Sequence, residues 1–454
     1  MLYLSKIIKT DKNNFIYDAV SNKLINIDAE ILEQLELNMF NKKYYDFLTQ
    51  NKIRDLTKPL NFEIEYTYSD EELDWLTKNR AKSLTLALTE QCNLRCVYCA
   101  YMPKYLDKTY KLKHMAEDIA IKSIDIFMRA AKQNPSPSIG FYGGEPLLQF
   151  ELIKKCVGYC KEKYPFSKPS FDITTNGLLL DNENIVNFLI ENEFTVAVSL
   201  DGPQDIHDKF RKDVNNKPSF EKIIKNLTQL YHKAPKYFKN KISFNAVITP
   251  LTGSKEQFEF LDKLYGLDVF PIEVAQSDYF SEYLNNVNQT EVSSTNRNFD
   301  KMNYSVLRKG ILKELAQYHT LYTNGLYNSG QSCLKVFPGG FCVPGSHRIF
   351  VSTEGKLIIC ERVDDLNQYF CIGDVDNGID TTKLNQLLTI TKKNIDKCKY
   401  CWAAKLCDIC FKDIFGLTDE FCESKKQGIE AGIIYYLNNF KDNKEITNML
   451  ENFA

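Results

Sequence analysis

Between residues 82 and 275 the chain alternates short apolar runs with amphipathic stretches, and no other feature limits its fold so tightly. The runs are LTLAL (84–88), IGFY (139–142), FDITT (171–175), VAVSL (196–200), ISFNAVI (242–248) and DVFPIEVA (268–275). Between them lie segments with helical spacing of apolar residues, such as AEDIAIKSIDIFMRAAKQ and FEKIIKNLTQLYHK. Strands that alternate with helices at this spacing read as repeated βαβ units with a parallel sheet. Six units allow an open α/β sheet or a partial (β/α)6, TIM-like barrel. Either puts the chemistry at the C-terminal ends of the strands.

The polar motifs obey that rule. TEQCNLRCVYC follows the first run and GGEP (143–146) the second. TNG (175–177) follows the third, and SLDGP (199–203) ends the fourth. All four fall on one rim.

The first motif carries Cys92, Cys96 and Cys99, spaced C-x3-C-x2-C. The net charge of -2 gives no bulk attraction to nucleic acid or to an anionic membrane. No apolar run is long enough to span a bilayer, and MLYLSKIIKTDKNNF lacks the pattern of a signal peptide. A cytoplasmic protein is expected. There, fourteen cysteines suit metal or redox chemistry better than disulfides. With few histidines among them, thiolate ligation favours zinc or iron–sulfur clusters. Three thiolates on one loop leave one iron of a four-iron cluster open to a small molecule. A zinc site completed by a distant residue, or three buried thiols, are the alternatives.

CNLRCVYC resembles the signature of the radical S-adenosylmethionine (SAM) superfamily, with Tyr98 as the aromatic residue before the last cysteine. The resemblance implies a [4Fe-4S] cluster on Cys92, Cys96 and Cys99, whose open iron chelates SAM. It implies the partial (β/α)6 barrel as well. Gly143, Gly144, Glu145 and Pro146 match the family's glycine-rich stretch, where a carboxylate can take the SAM ammonium. Ser199 and Arg211 match the partners of the SAM carboxylate and ribose. For Arg211 a surface ion pair within HDKFRKD stays open. Asn176 and Asp201 belong to the same cofactor rim, or cap strand-to-helix turns.

Nine further cysteines lie between 333 and 422. Eight of them are the number that two four-iron clusters require. Their order resembles the SPASM domain, a C-terminal extension of radical SAM enzymes that modify peptides and proteins. Carried over, Cys333, Cys342, Cys360 and Cys410 would hold auxiliary cluster I. Cys398, Cys401, Cys407 and Cys422 would hold auxiliary cluster II. Three [4Fe-4S] clusters follow in all. Cys407 and Cys410 are separated by two residues where the family commonly has three. That leaves open whether Cys410 completes cluster I or an iron there stays free. Two zinc ribbons are the alternative. Glu361 follows a cluster cysteine, where relatives that oxidise proteins carry an acidic residue that removes a substrate proton; pairing with Arg362 is the other reading. Cys156, Cys160 and Cys371 read as structural.

Four regions are expected. Residues 1–80 form a small α+β module, a hairpin and two helices, of winged-helix-like, leader-peptide-recognition type. Residues 81–315 form the radical SAM partial barrel, 316–435 the loop-rich, iron–sulfur-bound SPASM domain and 436–454 a C-terminal helix. The function expected is maturation of a ribosomally made precursor peptide by a thioether or carbon–carbon crosslink. The partners expected are that peptide with its leader and a reductant such as flavodoxin or ferredoxin, with no nucleic acid and no membrane. Oxidation of Cys or Ser to formylglycine, as by a sulfatase maturase, is the second reading. A non-catalytic iron–sulfur electron carrier or peptide-binding protein is the third.

Overall fold

The computed structural model describes residues 2–66, 68–107, 109, 111–248, 260, 269–273, 335–338, 342–363 and 367–439. The chain forms two compact units. Cys333 lies outside the described residues.

One unit comprises Met1–Ser69, Asn296–Cys342 and Leu388–Ala454. It begins with an antiparallel meander of β1 (Ser5–Lys9), β2 (Asn14–Asp18) and β3 (Lys23–Ile27). The sequence predicts only the hairpin. The missed β1, SKIIK, is short and charged near both ends. Helices α1 (Ala29–Leu37) and α2 (Lys42–Asn51) follow. Asp28 and Asn41 start them by accepting from the backbone N–H groups of Ile31 and Lys43, which satisfies donors that a helix leaves unpaired. Side chains alternate along a strand, so the meander feeds two cores. Ile16 and Ile27 pack with Ile31, Leu35, Tyr44 and Leu48. Phe15 and Tyr17 join Cys398, Ala403, Ile409, Ile433 and Tyr436. The last two lie on the helix Asp419–Asn439, which runs through the expected boundary at 435. A short strand β4 (Glu63–Ile64) pairs parallel with β11 (Lys335–Val336).

The other unit comprises Asp70–Thr295 and Val343–Leu387. Its strands are β5 (Ser83–Thr89), β6 (Ser138–Gly143), β7 (Ser170–Thr175), β8 (Thr195–Ser199), β9 (Ile242–Ile248) and β10 (Val269–Glu273). Each lies on one of the six predicted runs, and all pair parallel in sequence order. Four strands that the sequence reading did not place in the barrel extend the sheet beyond β5. They are β12 (Ile349–Val351), β13 (Lys356–Ile358), β14 (Cys371–Asp374) and β15 (Gly378–Ile379). The result is an α/β fold on a mixed sheet that has ten strands among the described residues, ordered from β10 to β15.

The two faces of this sheet differ. Leu84, Leu86, Ile139, Phe141, Phe171, Ile173, Val196, Val198 and Phe244 are almost fully buried. Alternate positions carry Thr85, Tyr142, Asp172, Thr174 and Ser199, which are half-buried. A parallel strand covered on both faces would read as continuously apolar. The interrupted pattern marks a sheet with one polar, partly open face.

Candidate active site

The rim residues meet at the C-terminal ends of β5 to β8. Cys92, Cys96 and Cys99 follow β5 on one loop, and each raises the pKa of another of the three, Cys92 through Cys96, Cys96 through Cys99 and Cys99 through Cys92. Burial first, then Glu145 and Cys96 at Cys92, Cys99 against the pull of Arg211 at Cys96, and Cys92 at Cys99, push the Cys92 and Cys96 thiols to about 12 and Cys99 to about 11. Three soft sulfur donors gathered in this way fit a four-iron cluster with one open iron. A bound cation reverses their protonation preference, because a coordinating thiol is deprotonated. Among the described residues no His, Cys, Asp or Glu set converges as a single metal ion would need. Thiolates of a cluster each hold a different iron and need not converge.

GGEP is fastened to this loop. Gly143 has φ +128°, and a Cβ there would meet the Thr89 carbonyl at 2.3 Å. A Cβ on Gly144 would meet the Gln91 carbonyl at 2.2 Å. Both glycines therefore serve a close approach to the base of the cysteine loop, where Gly144 N donates to Thr89 O (2.7 Å) and Glu145 N to Gln91 O (2.8 Å). Pro146 opens a short 3-10 turn, Pro146–Gln149. The Glu145 carboxylate is fully buried. It accepts from Thr175 Oγ1 (2.8 Å), Asn176 N (2.8 Å) and Leu147 N (3.1 Å). Burial pushes its carboxyl up to about 7 against the pull of those donors. In this structure Glu145 ties β6 to β7.

Asn176 does two things. Its Oδ1 accepts from Leu178 N (3.0 Å), closing the turn after β7. Its amide donates to Asn93 Oδ1 (2.7 Å) and lies 3.7 Å from Cys92 Sγ. Ser199 ends β8 beside Asn245. Arg211 is no surface ion pair, because its side chain is 8% exposed. Its Nε and Nη2 donate to Asp201 Oδ2 (2.8 Å) and Oδ1 (3.0 Å). Asp201 also accepts from Val247 N (2.9 Å) and from the Tyr98 hydroxyl. Burial would raise the Asp201 carboxyl, but Arg211 outweighs it and holds it below its ordinary value.

On the polar face of the sheet stands a second cluster. Glu361 pairs with Arg348, while the Arg362 guanidinium is 3.9 Å away and more exposed. The Glu361 Oε2 is buried and has no hydrogen-bond partner among the described residues. Burial, opposed by Arg348 and aided by Glu361, raises the Asp172 carboxyl to about 6. Gly140 leaves the room for it, since a Cβ there would meet Asp172 Oδ1 at 2.5 Å. Burial and then Glu361 and Cys99 push the Tyr142 hydroxyl to about 12. Tyr142 thus stands within electrostatic reach of both Glu361 and the cysteine loop. The sequence reading missed Tyr142, Asp172, Arg348 and Asn93. The signal for Asp172 was a carboxylate inside an otherwise apolar strand, FDITT.

The later cysteines divide between the units. Cys398, Cys401, Cys407 and Cys422 share one unit. Burial first, then Cys401, Cys407 and Cys422, raise the Cys398 thiol to about 12. Those are the four thiols expected at auxiliary cluster II. Cys410, in the same unit, caps the short turn Phe411–Asp413, with its N–H on Asp413 Oδ2 (2.9 Å). Cys342, whose carbonyl accepts from the Tyr66 hydroxyl (2.9 Å), is there too, and Cys360 is in the other unit. Cys156 and Cys160 are buried on the helix Phe150–Lys163, as structural cysteines would be.

Residues 86–271 match the radical SAM superfamily. A cysteine-type anaerobic sulfatase-maturating enzyme of Clostridium novyi is 28% identical over 383 residues, 78% of this chain and 96% of that protein. The radical SAM cyclopropyl synthase TigE of Paramaledivibacter caminithermalis is 25% identical over 57% of this chain and 52% of its own length. The solved structure of anSMEcpe with bound AdoMet superposes with a TM-score of 0.59 at 20% identity, covering 82% of this chain and 98% of that one. It supports the α/β fold.

Proposed function

We propose that this chain, a radical SAM protein by its domain over residues 86–271, modifies a ribosomally made precursor peptide and installs a thioether or carbon–carbon crosslink. When bound, SAM and its cluster supply a radical that takes a hydrogen atom from the substrate. The chain's own residues do the rest. Cys92, Cys96 and Cys99 would hold the cluster, and Asn176 orients the loop through Asn93. The polar sheet face receives the residue to be modified. Glu361 there takes up the substrate proton, positioned by Arg348. The observation that carries this reading is the buried Glu361 Oε2, which has no hydrogen-bond partner among the described residues, on the face where Glu361 and Cys99 both act electrostatically on Tyr142. A buried carboxylate oxygen without a donor is costly, and a substrate donor offsets that cost.

Cys398, Cys401, Cys407 and Cys422 would hold a second cluster. Cys333, Cys342, Cys360 and Cys410 would serve a third. Such clusters would take away the surplus electron or bind the substrate, and a reductant such as flavodoxin or ferredoxin would supply the electron that SAM cleavage consumes. The leader would add as a strand to β3, whose one strand partner among the described residues is β2. The Clostridium novyi enzyme aligns over 96% of its own length but 78% of this chain. About a fifth of the chain thus lies outside that alignment.

The same relative favours a second reading, oxidation of Cys or Ser to formylglycine on a protein substrate. Coexpression with a short Cys-rich precursor from a neighbouring reading frame separates the two. A product lighter by two hydrogens that traps no hydrazide reports a crosslink. A hydrazide-reactive product reports formylglycine and overturns the first reading.

A further inference from the structure

Behind the three-cysteine loop lies a segment that the proposed reaction leaves without a task. Residues 210–213, FRKD, run antiparallel to residues 94–97. Arg95 N donates to the Lys212 carbonyl (2.7 Å), and Val97 N to the Phe210 carbonyl (3.1 Å). Leu94 bridges Asp213. The loop between two cysteines thereby becomes one edge of a short ribbon. That ribbon is fixed from behind. Ser219 Oγ donates to the Arg211 carbonyl (2.7 Å) and meets His207 Nε2 at 3.0 Å. Asp213 Oδ1 accepts from Asn215 N and Lys217 N, both at 2.8 Å.

Arg211 sits at the centre of the ribbon. Two of its nitrogens are committed to Asp201, and the third, Nη1, lies 4.0 Å from Cys96 Sγ. The Tyr98 ring stands 5.3 Å from the guanidinium carbon, and its hydroxyl donates to the same Asp201. A planar fork held on both oxygens of a buried carboxylate has little freedom left. Its position relative to Cys96 is therefore set by Asp201, without any ligand.

We propose that Arg211 is a positioning residue, which holds the three-cysteine loop in its ligating shape before any cluster binds and, through Nη1 on the Cys96 sulfur, raises the reduction potential of the cluster assembled there. The second half rests on the radical SAM reading of the loop; the first does not. An N–H donor and a positive charge beside a ligand sulfur favour the reduced, more negative state. This task differs from the SAM carboxylate contact that sequence resemblance assigns to Arg211, and it uses the two donors that such a contact would need.

Two measurements test it on the full chain: hydrogen–deuterium exchange of the cluster-free protein and an EPR-monitored redox titration of the reconstituted protein. In Arg211→Gln the amides of Arg95 and Val97 should exchange about tenfold faster or more, with those of β6 and β7 unchanged. The midpoint potential should move to more negative values. Arg211→Lys keeps the charge but loses the fork, so exchange should rise while the potential moves less. Tyr98→Phe removes one donor to Asp201 and keeps the ring. It should show smaller changes in the same directions, and it replaces Arg211→Gln should that variant fail to fold. Unchanged exchange at Arg95 and Val97 together with an unchanged potential overturns the proposal. A wild-type chain that assembles no cluster on this loop overturns the radical SAM reading instead, and the exchange data still decide whether Arg211 shapes the loop.

Discussion

The loop Cys92–Cys99 and the set Cys398–Cys422 both gather thiols, but the chain supports them differently. The first places three thiols within eight residues and binds their backbone to distant parts of the sequence, from Gln91 O on Glu145 N to Val97 N on Phe210 O. The second spreads four thiols over a 3-10 turn, a loop and the helix Asp419–Asn439. Its backbone bonds include the local steps Cys401 N to Cys398 O, Ala404 N to Cys401 O and Leu406 N to Ala403 O, with Phe62 N reaching the Lys399 carbonyl from outside. The contrast separates two ways of gathering thiols: the first loop has its shape built by long-range backbone bonds, whereas the second set rests more on local ones, as in small domains whose shape a metal completes.

The largest expected effect breaks the first region outright. Replacing Cys92, Cys96 and Cys99 together by Ala should reduce 5′-deoxyadenosine formation to background by chromatography, while the later cysteines keep their iron. Survival of SAM cleavage would sink the assignment of the loop. Next, Glu361→Gln should lower product about 100-fold or more, the range for loss of a positioned proton acceptor, with SAM cleavage largely retained. Equal loss of both would place Glu361 in support of the cofactor. A third experiment addresses the contrast directly. Removing all iron with a chelator should leave the amides of Arg95 and Val97 protected, whereas those of residues 396–410 should exchange about tenfold faster or more. Equal behaviour of the two regions would erase the distinction. Within the second region, Cys407→Ala should lower iron content by about four per chain, and Cys410→Ala should leave that cluster in place, read by iron analysis.

The remaining prediction is a pH dependence of stability. His207 is fully buried, and burial holds its imidazole down to about 4 against an ordinary value of 6.5. The unfolded chain therefore takes up this proton first as the pH falls. Stability contributed by neutral His207 is present above 6.5 and lost as the pH drops from 6.5 through about 4. The total is about 3 kcal/mol at most. Urea melts should show wild-type stability falling across that range while His207→Gln lacks that component of the slope; equal slopes in the two would show that His207 is not the source.

The six parallel strands were legible because each is a short apolar run flanked by a helical pattern, a local signal. The cysteine loop and GGEP were legible by spacing. β12, at three residues, was not, since its place beside β5 depends on a partner more than 250 positions away. Helix caps such as Asp28 could be read from neighbours in the chain; the cluster of Asp172, Arg348 and Glu361 could not.

The sequence by itself determined that the chain carries a radical SAM domain on an α/β sheet, because ligand spacing and strand period are written along the chain. Only the tertiary structure decided what the rim residues hold. It spent Glu145 on Thr175 and Asn176, and Arg211 on Asp201. A buried charge must find its partner in space, and that partner is chosen by packing rather than by distance along the chain.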